Sequence, residues 1–246
     1  MKEGLFEFSV WVDGRPVPEH LDGVGGITWI QGVREQEFAL HVQNATNNRV
    51  LAVVSVDGLS VMDGKPANYS SGGYILSGGS HILIPGWRLD NNSVARFEFG
   101  VSAEGYATLM NQSPRNIGVI ACAFFAEAPT VTDIDSGDML ASRRIDSPAS
   151  REMGSLASRV TDLLASHDSS GTSKSSTRPG VETTTDNIAV KFGEKATHKV
   201  VVGSFERASD KPEALLSVRY DTVDGLRARG IGCEPPKGWK GRFSRR

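Results

Sequence analysis

The sequence predicts a mainly β protein. Its N-terminal part reads as an antiparallel β-sandwich or jelly-roll-like domain. One amphipathic helix, a Ser/Thr-rich linker and a short β-containing C-terminal segment follow. Three observations carry this reading. Apolar and polar residues alternate repeatedly over residues 1–128. The alternating runs are short, and Gly, Asn, Asp or Pro bounds each of them. Apolar residues at helical spacing are confined to one stretch after residue 147.

The first run places Phe6, Phe8, Val10 and Val12 on one face and Glu7, Ser9 and Trp11 on the other, and Asp13-Gly14 supplies a tight turn before Val17. A second run sets Phe38, Leu40 and Val42 opposite Ala39, His41 and Gln43. From Arg49 to Val56 the chain is Val-rich and continuously apolar, the pattern of a strand covered on both faces, and Asp57-Gly58 and Asp63-Gly64 follow as turns. Gly73–Leu76, His81–Ile84, Val94–Phe99 and Ile117–Glu127 complete about eight or nine short strands, the spacing of a sandwich or barrel. Pro85-Gly86-Trp87 ends a strand, because proline cannot donate to a central ladder.

Behind this domain (1–128), residues 129–165 form a connector. Ser147-Pro148 reads as an N-cap followed by proline at the first helical position, and Met153, Leu156, Ala157, Val160, Leu163 and Leu164 then line one stripe of a helix. The stripe packs on the sandwich or docks a partner. Residues 166–185 hold 11 Ser or Thr among 20 positions, too little apolar surface to offset ordering, and read as a flexible linker. In the small segment 186–231, Lys199–Phe205 and Leu215–Tyr220 read as strands that pair with the first domain or with another subunit. Residues 232–246 are a basic tail.

The 246 residues are 39% hydrophobic and 23% charged with 2 Cys, which excludes a wholly disordered chain and a disulfide framework. Glu3, Glu7 and Asp13 interrupt the apolar start, so no Sec signal is expected, and no run approaches the roughly 18 apolar residues of a membrane helix. These features predict synthesis in the cytoplasm, with no membrane partner, and are compatible with incorporation into a particle. Cys122 reads as a small core hydrophobe and Cys233 as an exposed tail residue.

No reactive constellation is visible. Ser80 and His81 are adjacent strand residues that point to opposite faces, and no GxSxG elbow occurs. The five histidines (20, 41, 81, 167 and 198) are scattered without metal-ligand spacing. Asp133, Asp135 and Asp138 form an incomplete calcium-loop pattern, read as a solvated acidic loop. The Gly-rich stretch 23–26 and the pairs at 72–73 and 78–79 read as turn glycines rather than phosphate loops. We therefore expect no catalytic residue, metal or cofactor.

Charge is the strongest functional signal. Residues 1–128 carry 13 acidic and 8 basic side chains, a net of −5, whereas residues 227–246 carry 7 basic and 1 acidic, a net of +6. The partner-binding candidates are Arg227, Arg229, Lys237, Trp239, Lys240, Arg242, Phe243, Arg245 and Arg246. They suit an acidic protein surface, including that of another copy of the chain, and with their aromatics nucleic acid as a second option. The expected function is a non-enzymatic structural or interaction protein, such as a virion or other multi-copy particle component. One alternative is a carbohydrate-binding module using Trp29, Trp87 and Asn91, with Trp11 as a further exposed aromatic. Another is a hydrolase whose site is assembled from distant residues. Four Asn-x-Ser/Thr sequons, at Asn44, Asn68, Asn91 and Asn111, matter only in a secretory context.

Overall fold

A computed structural model describes residues 1–23, 25–110, 116–129 and 188–232. The fold is mainly β. The described strands are β1 (Lys2–Glu3), β2 (Phe6–Val12), β3 (Arg15–Pro16), β4 (Glu19–Leu21), β5 (Thr28–Gln31), β6 (Glu37–Asn44), β7 (Val50–Val56), β8 (Leu59–Ser60), β9 (Tyr74–Leu76), β10 (Ser80–Ile84), β11 (Gly86–Arg88), β12 (Ser93–Val101), β13 (Val119–Ala126), β14 (Ile188–Thr197) and β15 (Ala214–Asp221). Two short α-helices accompany them, α1 (Tyr106–Leu109) and α2 (Val223–Ala228). One sheet runs β1-β2-β6-β12-β11, with β3 added on β2, β10 on β6 and β14 on β12. The other runs β4-β5-β15-β13-β7-β8, with β9 also on β7.

The two sheets share one apolar core, which gives a β-sandwich-like class. Phe8, Leu40 and Phe97 from the first sheet join Val54, Ile120, Phe124 and Val218 from the second in that core. Phe6 stacks on Phe124 with ring centroids 4.5 Å apart, a direct bridge between sheets. The alternation in β6 survives intact: Phe38, Leu40, Val42 and Asn44 are buried, and the residues between them are half-buried. Every position of β7 is buried. Val50, Ala52, Val54 and Val56 enter the main core, while Leu51 and Val53 join Tyr69 and Phe125 in a second cluster on the outer face, packed by Phe205. Arg207 fixes that cover. Its guanidinium donates to the carbonyls of Tyr69 and Ser71 and lies 4.4 Å over the Phe125 ring. Fully burying a side chain of this size contributes about 2 kcal/mol, so both faces of β7 are stabilising.

Turn chemistry follows the sequence. Asp13-Gly14 joins β2 to β3 with φ of 49° and 73°, and Asp57-Gly58 joins β7 to β8 with φ of 52° and 79°. Two successive left-handed residues match the twist of a tight hairpin. At Pro85 the chain changes partner: β10 pairs with β6, β11 pairs with β12, and the Pro85 carbonyl accepts the Phe97 N–H at 3.1 Å. Cys122 is a buried free thiol, and burial pushes its pKa well above the ordinary value.

The rear of the described chain departs from expectation. Lys199–Phe205 is not a strand, and Val201 and Val202 are 97% and 76% exposed. Their β-branched side chains have the right propensity but no sheet neighbour, and propensity alone does not make a strand. The strand lies earlier, at β14, where Gly193 and charged residues disguise the pattern; it pairs along β12 with a bulge between Ala95 and Phe97. The Leu215–Tyr220 run is present as β15, inserted between β13 and β5. It is antiparallel to β13 and parallel to β5, so the second sheet is mixed. β14 and β15 thus pair with strands of residues 1–128 in the same chain. Helix α2 was not expected; Thr222 caps it by accepting the Gly225 N–H at 3.2 Å, and Leu226 is its buried contact. The predicted helix after Ser147, the Ser/Thr-rich stretch, the Asp133–Asp138 loop and Cys233 lie outside the described residues.

Candidate functional site

Two of the nine partner-binding candidates, Arg227 and Arg229, lie within the described residues, and both belong to a corner built around Trp29. Lys237, Trp239, Lys240, Arg242, Phe243, Arg245 and Arg246 lie outside them. The corner follows from strand register. Val119, Arg219, Trp29 and His20 are directly paired from β13 across β15 and β5 to β4, so they share the outer face of the second sheet. Past β15 the chain turns through Thr222 into α2. Leu226 and Ile231 pack with Trp29 in a third apolar cluster, flanked by Ile27 and Val223. Ile231, 6% exposed, pins the chain beside Trp29 directly before the basic tail begins.

Arginines crowd this corner. Arg229 lies 4.7 Å and Arg219 5.6 Å from the Trp29 ring centroid, both within cation–π range. The Arg229 Nε lies 3.4 Å from Asp221 Oδ2, a loose pair. Arg227 pairs with Asp224 at 3.7 Å on the open surface, where such a contact contributes little. Arg219 has no carboxylate within 4 Å among the described residues, and its buried Nε has no acceptor. Burial, and then the Arg229 charge, hold its guanidinium below the ordinary arginine value. The neighbouring Asp22 carboxylate forms no ion pair with these arginines; its Oδ1 accepts the N–H groups of Gly25 at 2.8 Å and Ile27 at 3.0 Å.

The residues of the carbohydrate reading are not assembled into a sugar platform. Trp87 is 2% exposed, with edge-on contacts to Phe97, Tyr106 and Phe192, and Trp29 is 5% exposed. Neither ring offers an open face, so sugar stacking on them is corrected to core packing. Asn91 is exposed, and its backbone carbonyl accepts the Val200 N–H at 3.0 Å. The next turn is tied down by Arg88, which donates to the His198 carbonyl at 2.7 Å and to the Tyr74 hydroxyl at 2.9 Å. Trp11 is partly exposed and stacks on His41 at 4.9 Å, with His81 5.3 Å beyond. Burial, and then the neighbouring His81, lower the His41 pKa.

Asp57 is the most perturbed carboxylate among the described residues. It is wholly buried at the end of β7 and accepts from three donors: the Tyr220 hydroxyl, whose oxygen lies 2.7 and 2.8 Å from the two carboxylate oxygens, and the N–H groups of Gly118 and Val190, each at 2.9 Å. Burial pushes its pKa up to about 6 against the lowering effect of those donors. Because Val190 is in the first sheet and Tyr220 in the second, Asp57 fastens the two sheets together. All three donors belong to the fold itself, so its contacts are structural. Among the described residues no three His, Cys, Asp or Glu side chains converge on a metal-sized site, and no helix is long and apolar enough to cross a membrane.

Sequence reasoning pointed to Arg227 and Arg229 but missed Arg219. The alternation in β15 marks Arg219 as outward-facing; its place beside Trp29 depends on a parallel pairing that no local pattern reports. Comparison with family models, curated proteins and solved structures gives no match to this chain.

Proposed function

We propose that the protein is a non-enzymatic structural or interaction protein: a rigid β-sandwich that attaches to an acidic surface through its arginine-rich corner and the basic residues that follow. The occupant that best fits the charge split is another copy of the chain, as in a virion component or other multi-copy particle. The observation that carries this reading is the anchoring of the chain exit. Ile231 is buried beside Trp29, so residues 233–246, with Lys237, Lys240, Arg242, Arg245 and Arg246, start from a fixed point already bearing Arg219, Arg227 and Arg229. The residues 1–128 of a neighbour supply the complementary charge, a net of −5. Opposite charges on tethered segments raise local concentration and favour docking.

Sedimentation velocity of the full chain and of a chain ending at Gly232 tests the proposal. The shortened chain keeps Ile231 and therefore the third cluster. The full chain is expected to associate in about 50 mM salt and to dissociate in about 500 mM, because the screening length shortens several-fold over that range. The shortened chain is expected to stay a single species in both. Identical behaviour of the two chains overturns the proposal.

A further inference from the structure

We infer that the Trp29 corner is an oxyanion site that takes a carboxylate from a partner protein surface, gripped by Arg219 and Arg229. This rests on the reading that the chain docks on an acidic surface, and it names the residues that would receive the acid. The argument begins with a deficit. A half-buried guanidinium beside a second guanidinium is unfavourable without a counter-charge. Arg219 has no carboxylate within 4 Å among the described residues, its Nε–H is buried without an acceptor, and Arg229 is close enough to disfavour its charge. Trp29 holds both groups in place through its ring. The local acids do not remove the deficit. Asp221 reaches Arg229 only at 3.4 Å while its other oxygen accepts the Thr222 N–H at 2.7 Å, and Asp22, whose Oδ1 accepts the Gly25 and Ile27 N–H groups, forms no ion pair with either arginine. The planar forks of two arginines match a carboxylate, whose two oxygens can each accept. His20, in register beyond Trp29, adds an imidazole to the same row.

Arginine Nε–Hε NMR spectra of the full chain test the site, with the Arg219 and Arg229 signals assigned through Arg219→Lys and Arg229→Gln. The probe is an N-acetylated tri-glutamate amide in about 150 mM salt, with inorganic phosphate and a short duplex DNA as parallel titrants. The peptide is expected to move the Arg219 signal saturably, and Arg229→Gln, an exposed change that leaves the core intact, to weaken the apparent affinity at least fivefold. An Arg219 signal that the peptide leaves unmoved overturns the inference, as does a signal that answers to phosphate or DNA but not to the peptide. Sedimentation of the chain ending at Gly232, set beside the peptide titration, separates this inference from the reading beneath it. If removing residues 233–246 abolishes association while the peptide moves no arginine at the corner, the site fails and the docking reading stands. If that removal changes nothing while the Arg219 signal still responds, the reverse holds.

Discussion

Asp57 shows how one residue can set a property of the whole fold. Its folded pKa of about 6 stands above the ordinary 3.8, so between those values the folded chain holds a proton that the unfolded chain has released. The contribution of Asp57 to stability is therefore greatest in acid, falls as pH rises through that window, and is constant above it; the change is roughly 3 kcal/mol. Asp57→Asn removes the titration but keeps one acceptor. Urea unfolding of both chains between pH 4 and 7 is expected to show the deficit of the variant shrinking by about that amount as pH rises. A deficit that stays constant would mean that the carboxylate does not titrate in this window. The sequence marked Asp57 as a turn residue because Asp-Gly is a turn signal. Its second role, as acceptor for Tyr220 and Val190, rests on residues more than 130 positions away and left no local trace.

At the scale of elements, turns separate local strain from packing. Gly14 and Gly58 both adopt left-handed backbone, with φ of 73° and 79°. A Cβ at Gly14 would meet nothing within 4 Å, whereas at Gly58 it would meet the Asn116 side chain at 2.8 Å. Gly14→Ala is expected to cost about 1 kcal/mol, the conformational penalty alone. Gly58→Ala is expected to cost roughly 2–4 kcal/mol, since Asn116 must also move. Thermal unfolding of the two variants ranks them, and equal costs would contradict the packing seen around Asn116. Elements were legible wherever alternation and turn chemistry agreed, as in β2, β6 and β7. They were illegible where the two separated: β14 carries Gly193 within its length, and Val201 and Val202 have strand propensity but lie exposed outside any strand.

Across the whole molecule, the sandwich is completed from both ends of the chain. β14 extends the first sheet, and β15 lies within the second between β13 and β5. The sequence carried the class of fold, because burial on one face imposes a period of two on each strand. It did not carry the parallel pairing of β5 with β15, which joins residues 190 positions apart, as Arg219 with Trp29, and leaves no pattern in either strand. The same pairing builds the Trp29 corner, so the candidate site was legible only as a charge excess near the C-terminus. The most direct test of docking is fluorescence anisotropy of a peptide of residues 233–246, labelled at Cys233, titrated with the chain ending at Gly232. Saturable binding in about 50 mM salt that weakens at least tenfold by about 500 mM is the expected result. Absence of binding at the lower salt would contradict the proposal that the basic segment attaches to the acidic surface of its own kind.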